Sequence, residues 1–422
     1  MTRAAEAPPT SPQDPARRRG LLLVAVAIVL TAANLRTAVT SVGPVLEEIE
    51  AGLGVSSAAA GVLTTMPVVC FAAIGFAGPP LAARFRDAHV LAGALLTMAA
   101  GLVLRAAVDS FPLFLAGTAL AMAGGALGNV LLPGLVKRWF PERTGLLVGA
   151  YSASMAIGGA VAAVSTAPIA AAAGPGGWRW ALGVWAVLAL LAALPWLVTP
   201  SRPGATRGAH RAVRMAPLLR SPLALTLAAF FGLQAMQAYV VMGWSAQYLR
   251  DSGLSAATAG LLLGINSIVV IPVNAVVPSL TVRQRWQRPL LLAFTACYAV
   301  GWTGLWLAPR TAPWLWMTIL ALGMGTFAMV LALLGLRART PETVAALSTV
   351  AQGWGYVLAG TGPLLVGVLR GVTGGYTGMF VLVGVATVGL TVTGWLVTRD
   401  RFVDDEVPGW APSAVSGASP RG

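Results

Sequence analysis

Twelve long apolar stretches follow one another along the chain, separated by short polar connections. They run over about 20–42, 57–79, 88–108, 112–136, 143–173, 178–198, 222–249, 255–280, 288–308, 313–336, 343–369 and 376–398. Each is near or above the roughly 20 residues that cross a bilayer as helix. The pattern therefore predicts an all-α membrane protein with twelve transmembrane helices. Two six-helix bundles, 20–198 and 222–398, are joined by a polar loop, 199–221, and flanked by tails at 1–19 and 399–422. The run Leu21–Leu30 after Arg17-Arg18-Arg19 has the opening of a signal peptide. It continues past the length of such a segment, and eleven more spans follow, so it is read as span 1. Residues 1–16 and 403–422, rich in Pro, Ala and Ser, are expected to be disordered.

The second half repeats the first. Gly54-Val55-Ser56-Ser57-Ala58-Ala59-Ala60-Gly61 matches Gly253-Leu254-Ser255-Ala256-Ala257-Thr258-Ala259-Gly260, and Phe140-Pro141-Glu142 matches Thr340-Pro341-Glu342. Two matches at nearly one offset indicate a duplicated six-helix unit. Six spans per copy give both copies the same orientation, with the solute site expected between them near the midplane.

Composition narrows the function. The chain is 57% apolar and 10% charged, against roughly 25% charged in soluble domains. A soluble enzyme could not cover its surface with this material. The formal charge of +14 does not indicate nucleic acid, because the cations are scattered over short loops instead of gathered on one stripe. Of 28 cationic residues, 22 fall in the tails, the central loop and the even-numbered connections. Only Arg179, Arg250, Arg310 and Arg370 lie in odd-numbered connections. The positive-inside rule then puts both termini in the cytoplasm of a cell-membrane protein. Cys70 and Cys297 fall inside spans and are read as reduced thiols. There is no phosphate-binding glycine loop, no metal spacing and no nucleophile–base set, so neither an enzyme nor a cofactor is expected. The expected partners are the lipid bilayer and a small-molecule solute, with the chain a monomer.

Chemistry inside the spans centres on Arg36. A guanidinium there costs several kcal/mol unless compensated, and none of the 14 acidic residues lies at a span centre. Arg36 must face carbonyls, amides, water or an anion. Its planar fork suits a carboxylate-like or cyanate-like anion. The structural alternative is capture by main-chain carbonyls at the Gly43-Pro44 break. Asn34 and Thr40 flank it in span 1. Gln234, one repeat from Asn34, and Gln237 share a face of span 7. Asn266 in span 8, Gln352 and Tyr356 in span 11, and Tyr151 in span 5 complete the candidate solute-binding set, each with interhelical hydrogen bonding as the alternative. Asn129 beside Pro133 reads as structural. Arg105, near the outer end of span 3, is expected to snorkel to the interface. Gly149 and Gly158 in span 5 are expected to allow close helix packing. His89 and His210 are expected in solvent on the cytoplasmic side, and Glu47, Glu48 and Glu50 in solvent on the outer side.

Several motifs resemble the cyanate/2-nitroimidazole permease family (CynX/NimT) of the major facilitator superfamily. They are Asn34-Leu35-Arg36 with Ser41-Val42-Gly43-Pro44, Gly128-Asn129-Val130-Leu131-Leu132-Pro133 with Val136-Lys137-Arg138, and Gly232-Leu233-Gln234. Gly335-Leu336-Arg337-Ala338-Arg339-Thr340-Pro341, Ala351-Gln352 and Gly362-Pro363-Leu364 complete the set. Thr37 stands where the family pattern has Pro, Ala82 or Ala83 where the superfamily's loop between spans 2 and 3 has an acid, and Thr118 near the place of a span 4 arginine. The resemblance implies alternating-access transport of a small polar or anionic solute, either a cyanate-like anion or a small heteroaromatic. Spans 1, 4, 7 and 10 are then expected to line a cavity into which Arg36, Gln234 and Gln352 point. Export of neutral or anionic drugs is the alternative on the same fold, and a receptor or membrane enzyme a further one. With no Asp, Glu or His at a span centre, facilitated diffusion or anion exchange is expected instead of proton coupling.

Overall fold

The computed structural model describes residues 15–84, 87–199 and 217–407. Twelve helical spans are long and apolar enough to cross a membrane: Arg19–Leu53, Ser57–Ile74, Ala88–Ala107, Phe111–Trp139, Pro141–Ala172, Gly177–Val198, Pro222–Asp251, Ala256–Thr281, Gln284–Leu307, Pro313–Leu336, Glu342–Thr373 and Thr377–Val397. They are numbered 1–12 below. No strand occurs among the described residues, as expected where lipid cannot satisfy open backbone groups. An even number of crossings puts both chain ends on one face, called the terminal face; the opposite face is called distal.

The sequence repeat returns as repeated local structure. Span 1 ends at Gly54 with φ +62°, and the turn after span 7 holds Gly253 with φ +96°. That region disfavours side chains bearing a Cβ. Ser56 and Ser255 then place their hydroxyls to accept from Ala59 N and Thr258 N, capping the following helices. Pro141 and Pro341 each open a helix on the terminal face.

Span 1 reaches eleven residues past its expected end. Pro15–Asn34 is followed by a turn at Leu35–Arg36, then by Thr37–Thr40, the 3-10 turn Gly43–Val45 and Leu46–Leu53. The carboxylates Glu47, Glu48 and Glu50 therefore lie within helix, not beyond it. The expected tail also begins later than proposed: Val403–Glu406 forms a helical turn docked on the terminal face. Glu406 accepts from Ser221 Oγ at 2.6 Å and Leu223 N at 3.0 Å at the start of span 7. Asp404 accepts from Arg339 N and Thr343 Oγ1, both at 2.9 Å. Acids at helix starts are stabilised by the free N–H groups there. Residues 408–422, 1–14 and 200–216, the last holding His210 and most of the central loop, lie outside the described residues.

The two halves meet along spans 2 and 11 and along spans 5 and 8. Ser57, Gly61, Thr65 and Phe71 of span 2 face Arg370, Leu364, Gly360 and Tyr356 of span 11 in turn. A Cβ on Gly61 would lie 3.0 Å from Leu364 O and 3.1 Å from Gly367 Cα. Gly260 of span 8 touches the Ala163 carbonyl of span 5 more closely still. These contacts belong to the distal half. Toward the terminal face Gly134, Gly145, Gly149 and Gly335 meet open space. Gly149 thus packs against nothing nearby, whereas Gly158 sits directly on the Ala33 carbonyl of span 1.

Candidate functional site

The break in span 1 places Arg36. Asn34 Nδ2 donates to Leu30 O at 2.8 Å and to Leu188 O of span 6 at 3.3 Å, and Thr37 Oγ1 donates to Asn34 O at 2.9 Å. Thr40 Oγ1 bridges Arg36 O at 3.0 Å and Gly159 O of span 5 at 2.8 Å. The acceptors of the irregular stretch go to other arginines: Pro44 O, at the Gly43-Pro44 break offered to Arg36, accepts from Arg250 Nη1 at 2.8 Å. Arg105, fully buried, donates from Nη1 to Ala38 O at 3.1 Å and from Nη2 to Ser41 Oγ at 3.3 Å. The snorkelling expected of Arg105 is therefore corrected. The irregular backbone beyond Arg36 is polar enough to draw the guanidinium inward, since backbone groups freed at membrane depth need donors.

Arg36 is half-buried, and its Nη1 lies 3.4 Å from the Met242 sulfur of span 7. A thioether is a weak acceptor. No carboxylate lies within ion-pair distance of Arg36 among the described residues. Tyr239 of span 7 and Tyr356 of span 11 are within its electrostatic reach. Tyr356 stacks on Phe71 of span 2, ring centres 5.9 Å apart and 23° from parallel, and meets the edge of Phe231 at 5.1 Å. Four spans thus converge: a guanidinium from span 1, a ring from span 2, a phenol and a thioether from span 7, and a phenol from span 11.

The other candidates divide by whether their polar atoms are engaged. Gln237 is buried with Nε2 donating to Val383 O at 3.0 Å and Thr387 Oγ1 at 2.8 Å, while Oε1 accepts from Trp302 Nε1 at 2.7 Å. It ties span 7 to spans 9 and 12, away from Arg36. Asn266 donates to Met317 O at 3.0 Å, joining spans 8 and 10. Asn34 and Thr40 hold the break itself. Gln234 is buried, and its Oε1 has no partner among the described residues. Gln352 is half-buried one turn before Tyr356. Tyr151 packs against the core of the first half that includes Val24, Leu131 and Trp196. Sequence reasoning missed Tyr239, Met242 and Phe71. The usable signal was rarity: the chain has six tyrosines, and two of them meet the unpaired arginine.

The distal end is closed by charge. Arg250 pairs with Glu47 at 2.8 Å and Glu48 at 2.7 Å and donates to Pro44 O at 2.8 Å. Arg370 pairs with Glu50 at 3.3 Å and Asp251 at 2.9 Å and donates to Ser57 Oγ at 3.0 Å. Both link the two halves. Glu47, Glu48 and Glu50 are thus paired, contrary to the expected solvated cluster, because the cations that face them come from the other half of the chain. Tyr376 closes the network by donating to Asp251 Oδ2 at 2.6 Å. Burial first, then that carboxylate, pushes its phenol above the ordinary range and keeps it a donor.

Comparison with known proteins identifies the family. The family model for the Major Facilitator Superfamily matches residues 24–363. The chain is 34% identical to the 2-nitroimidazole transporter of Escherichia coli (strain K12) over 90% of its own length and 97% of that protein's. It is 28% identical to the cyanate transport protein CynX of the same organism, over 90% and 97%. A bacterial homolog to the human lysosomal transporter Spinster, solved inward-facing and occupied, superposes with TM-score 0.73 at 17% identity, covering 93% of this chain and 99% of that one. Similarity at that level speaks to the fold alone, while the family match and the curated relatives speak to descent. The chain belongs to the Major Facilitator Superfamily, as a transporter, not an enzyme, of the kind that carries small solutes across the membrane.

Proposed function

We propose that the solute is a small planar molecule bearing acceptor oxygens, held by Arg36 against the rings of Tyr356 and Phe71. The observation that carries this reading is the state of Arg36: a charged fork deep in a span whose one side-chain hydrogen-bond partner among the described residues is the Met242 thioether. Five N–H donors call for acceptors, and a planar pair of oxygens fits the fork in two parallel bonds. The aromatic walls add stacking for a flat ring. A nitro-substituted azole meets both demands; cyanate, linear with a single oxygen, meets only the need for an anionic acceptor. The names of the two Escherichia coli relatives support the same pair of chemistries. Gln234, with its partnerless Oε1, and Gln352 are the proposed polar walls. Asn34, Thr40, Gln237 and Asn266 are assigned to holding the helices.

Charge asymmetry supports both termini in the cytoplasm. Closure of the distal end then corresponds to a state open to the cytoplasm. Transport follows by rocking the halves about Arg36 until the distal ion pairs part.

The test is Arg36 itself. Purified protein in proteoliposomes is assayed for uptake of radiolabelled 2-nitroimidazole and cyanate. Arg36→Ala should abolish uptake, a loss of at least about 100-fold for a bidentate charged contact, while the protein still folds. Arg36→Lys should keep partial activity, since an ammonium retains the charge without the fork. Wild-type uptake by Arg36→Ala overturns the assignment.

A further inference from the structure

A second cluster of arginines lies on the terminal face, away from the solute site and independent of it. Gln284, Arg285 and Arg288 at the start of span 9 and Thr398, Arg399 and Asp400 after span 12 line a cavity of about 580 Å³. The walls are tied together. Gln284 Nε2 donates to Thr398 O at 2.7 Å. The buried Arg337 beneath donates to Gln287 Oε1 at 2.8 Å and to Val397 O at 2.9 Å. Asp400, the one acid of the lining, faces Arg337 at 3.8 Å. Among the described residues, Arg285, Arg288 and Arg399 have no carboxylate within ion-pair distance. Arg283 and Arg401 flank them in sequence and are also exposed. Three unpaired guanidinium groups around one cavity form an anion site, because each charge gains from a shared counterion and no protein carboxylate supplies it.

Position selects among anions. The cavity lies where spans 9 and 12 reach the membrane boundary. Arg288 lies over the Trp395 ring at 4.4 Å and Arg285 lies 6.0 Å from the Trp286 ring. Both indoles are partly exposed, at 39% and 42%. Indoles of this kind sit at the headgroup level. Below them the outer surfaces of the two spans are apolar, with Leu292, Val392 and Leu396 exposed. A soluble anion would use the arginines alone. A molecule with a phosphodiester head and acyl chains would use the arginines, the indoles and the apolar groove together. We infer that this cavity binds the phosphodiester headgroup of an anionic phospholipid, with the acyl chains lying along spans 9 and 12. Basic pockets between membrane helices have this chemistry in general. The site would also tie the start of span 9 and the end of span 12 to the leaflet that bears the terminal face.

Phosphatidylglycerol is titrated into the protein held in phosphatidylcholine nanodiscs. Retained lipid is counted by native mass spectrometry and thermal unfolding is followed in parallel. The wild type should retain phosphatidylglycerol over phosphatidylcholine by about a hundredfold, from roughly three unpaired cations at the surface. The R285Q/R288Q/R399Q variant should lose that preference, and replacing the same three residues by Lys should restore part of it. R143Q, which removes an exposed charge from the same face outside the cavity, should behave as wild type. Inorganic phosphate is run as a separate arm and should raise the unfolding temperature little. No lipid preference in the wild type, or an unchanged preference in the triple Gln variant, overturns the inference. Stabilisation by inorganic phosphate with none by phosphatidylglycerol also overturns it, since the site would then be one for a soluble anion. Circular dichroism of the triple variants verifies that they are folded when the comparison is made.

Discussion

Arg105 and Arg36 both lie against the broken part of span 1, and the chain uses them in opposite ways. Arg105 is fully buried and bonds to Ala38 and Ser41 in the broken part of span 1. Arg36, inside the same break, meets the Met242 thioether and has no carboxylate within ion-pair distance among the described residues. One guanidinium therefore satisfies the backbone that positions the other. Arg105→Ala should leave the Ala38 carbonyl unpaired and open a cavity, costing about 2–4 kcal/mol. The measurement is thermal unfolding in detergent. A snorkelling arginine would tolerate the change within about 0.5 kcal/mol, so a small shift would return Arg105 to the interface. That both residues lie in spans was legible in the sequence. Which of them meets the carbonyls was not, because the contact joins residues 67 positions apart and nothing local distinguishes the two. Gln237 makes the same point. Its spacing from Gln234 placed both on one face, but a helix face also meets neighbouring helices, and Gln237 faces spans 9 and 12.

The elements were more legible than the contacts. Apolar run length gave all twelve spans, because lipid tolerates few alternatives to a continuous helix. The left-handed glycines Gly54 and Gly253 and the caps Ser56 and Ser255 were visible as a repeated motif before their geometry was known. The end of span 1 was not. Glu47, Glu48 and Glu50 look like the end of a membrane segment, yet helix continues through them because Arg250 and Arg370 supply the countercharges. The crossing of spans 5 and 8 carries a consequence for motion. Gly260 lies so close to the Ala163 carbonyl that any side chain there would hold the two helices apart. Gly260→Leu should therefore disfavour the distally closed state while leaving each half able to fold. Spin labels at Ala172 and Ala256, in a background lacking Cys70 and Cys297, would report it as a longer mean distance with slowed transport. An unchanged distance would mean that the crossing does not control closure.

At the scale of the whole molecule, charge is sorted by position. The arginines of the odd-numbered connections are all engaged on the distal face: Arg179 with Asp109 at 2.6 Å, Arg310 with the Ser252 carbonyl, and Arg250 and Arg370 across the halves. The span centres hold no carboxylate or histidine, so protonation has no group there through which to bias the conformational equilibrium. Ligand binding is the lever that the proposed solute site supplies. A solute shifts that equilibrium only by its difference in affinity between the two states, and the unpaired Arg36 supplies the difference if its charge is tolerated while the halves rock only when an acceptor fills the fork. Transport should then run down the solute gradient or by exchange, and not be driven by protons. The check is uptake of a solute that does not titrate near neutral pH into proteoliposomes with an imposed pH gradient and no internal solute. Equilibration without accumulation is expected, with acceleration when solute is present on both sides. Accumulation against the solute gradient, abolished by a protonophore, would show that a proton is carried. Glu47, Glu48 and Glu50 would then be the groups to replace first, because the distal ion pairs must part in every cycle, and a carboxylate freed from its arginine is a group that can take up a proton.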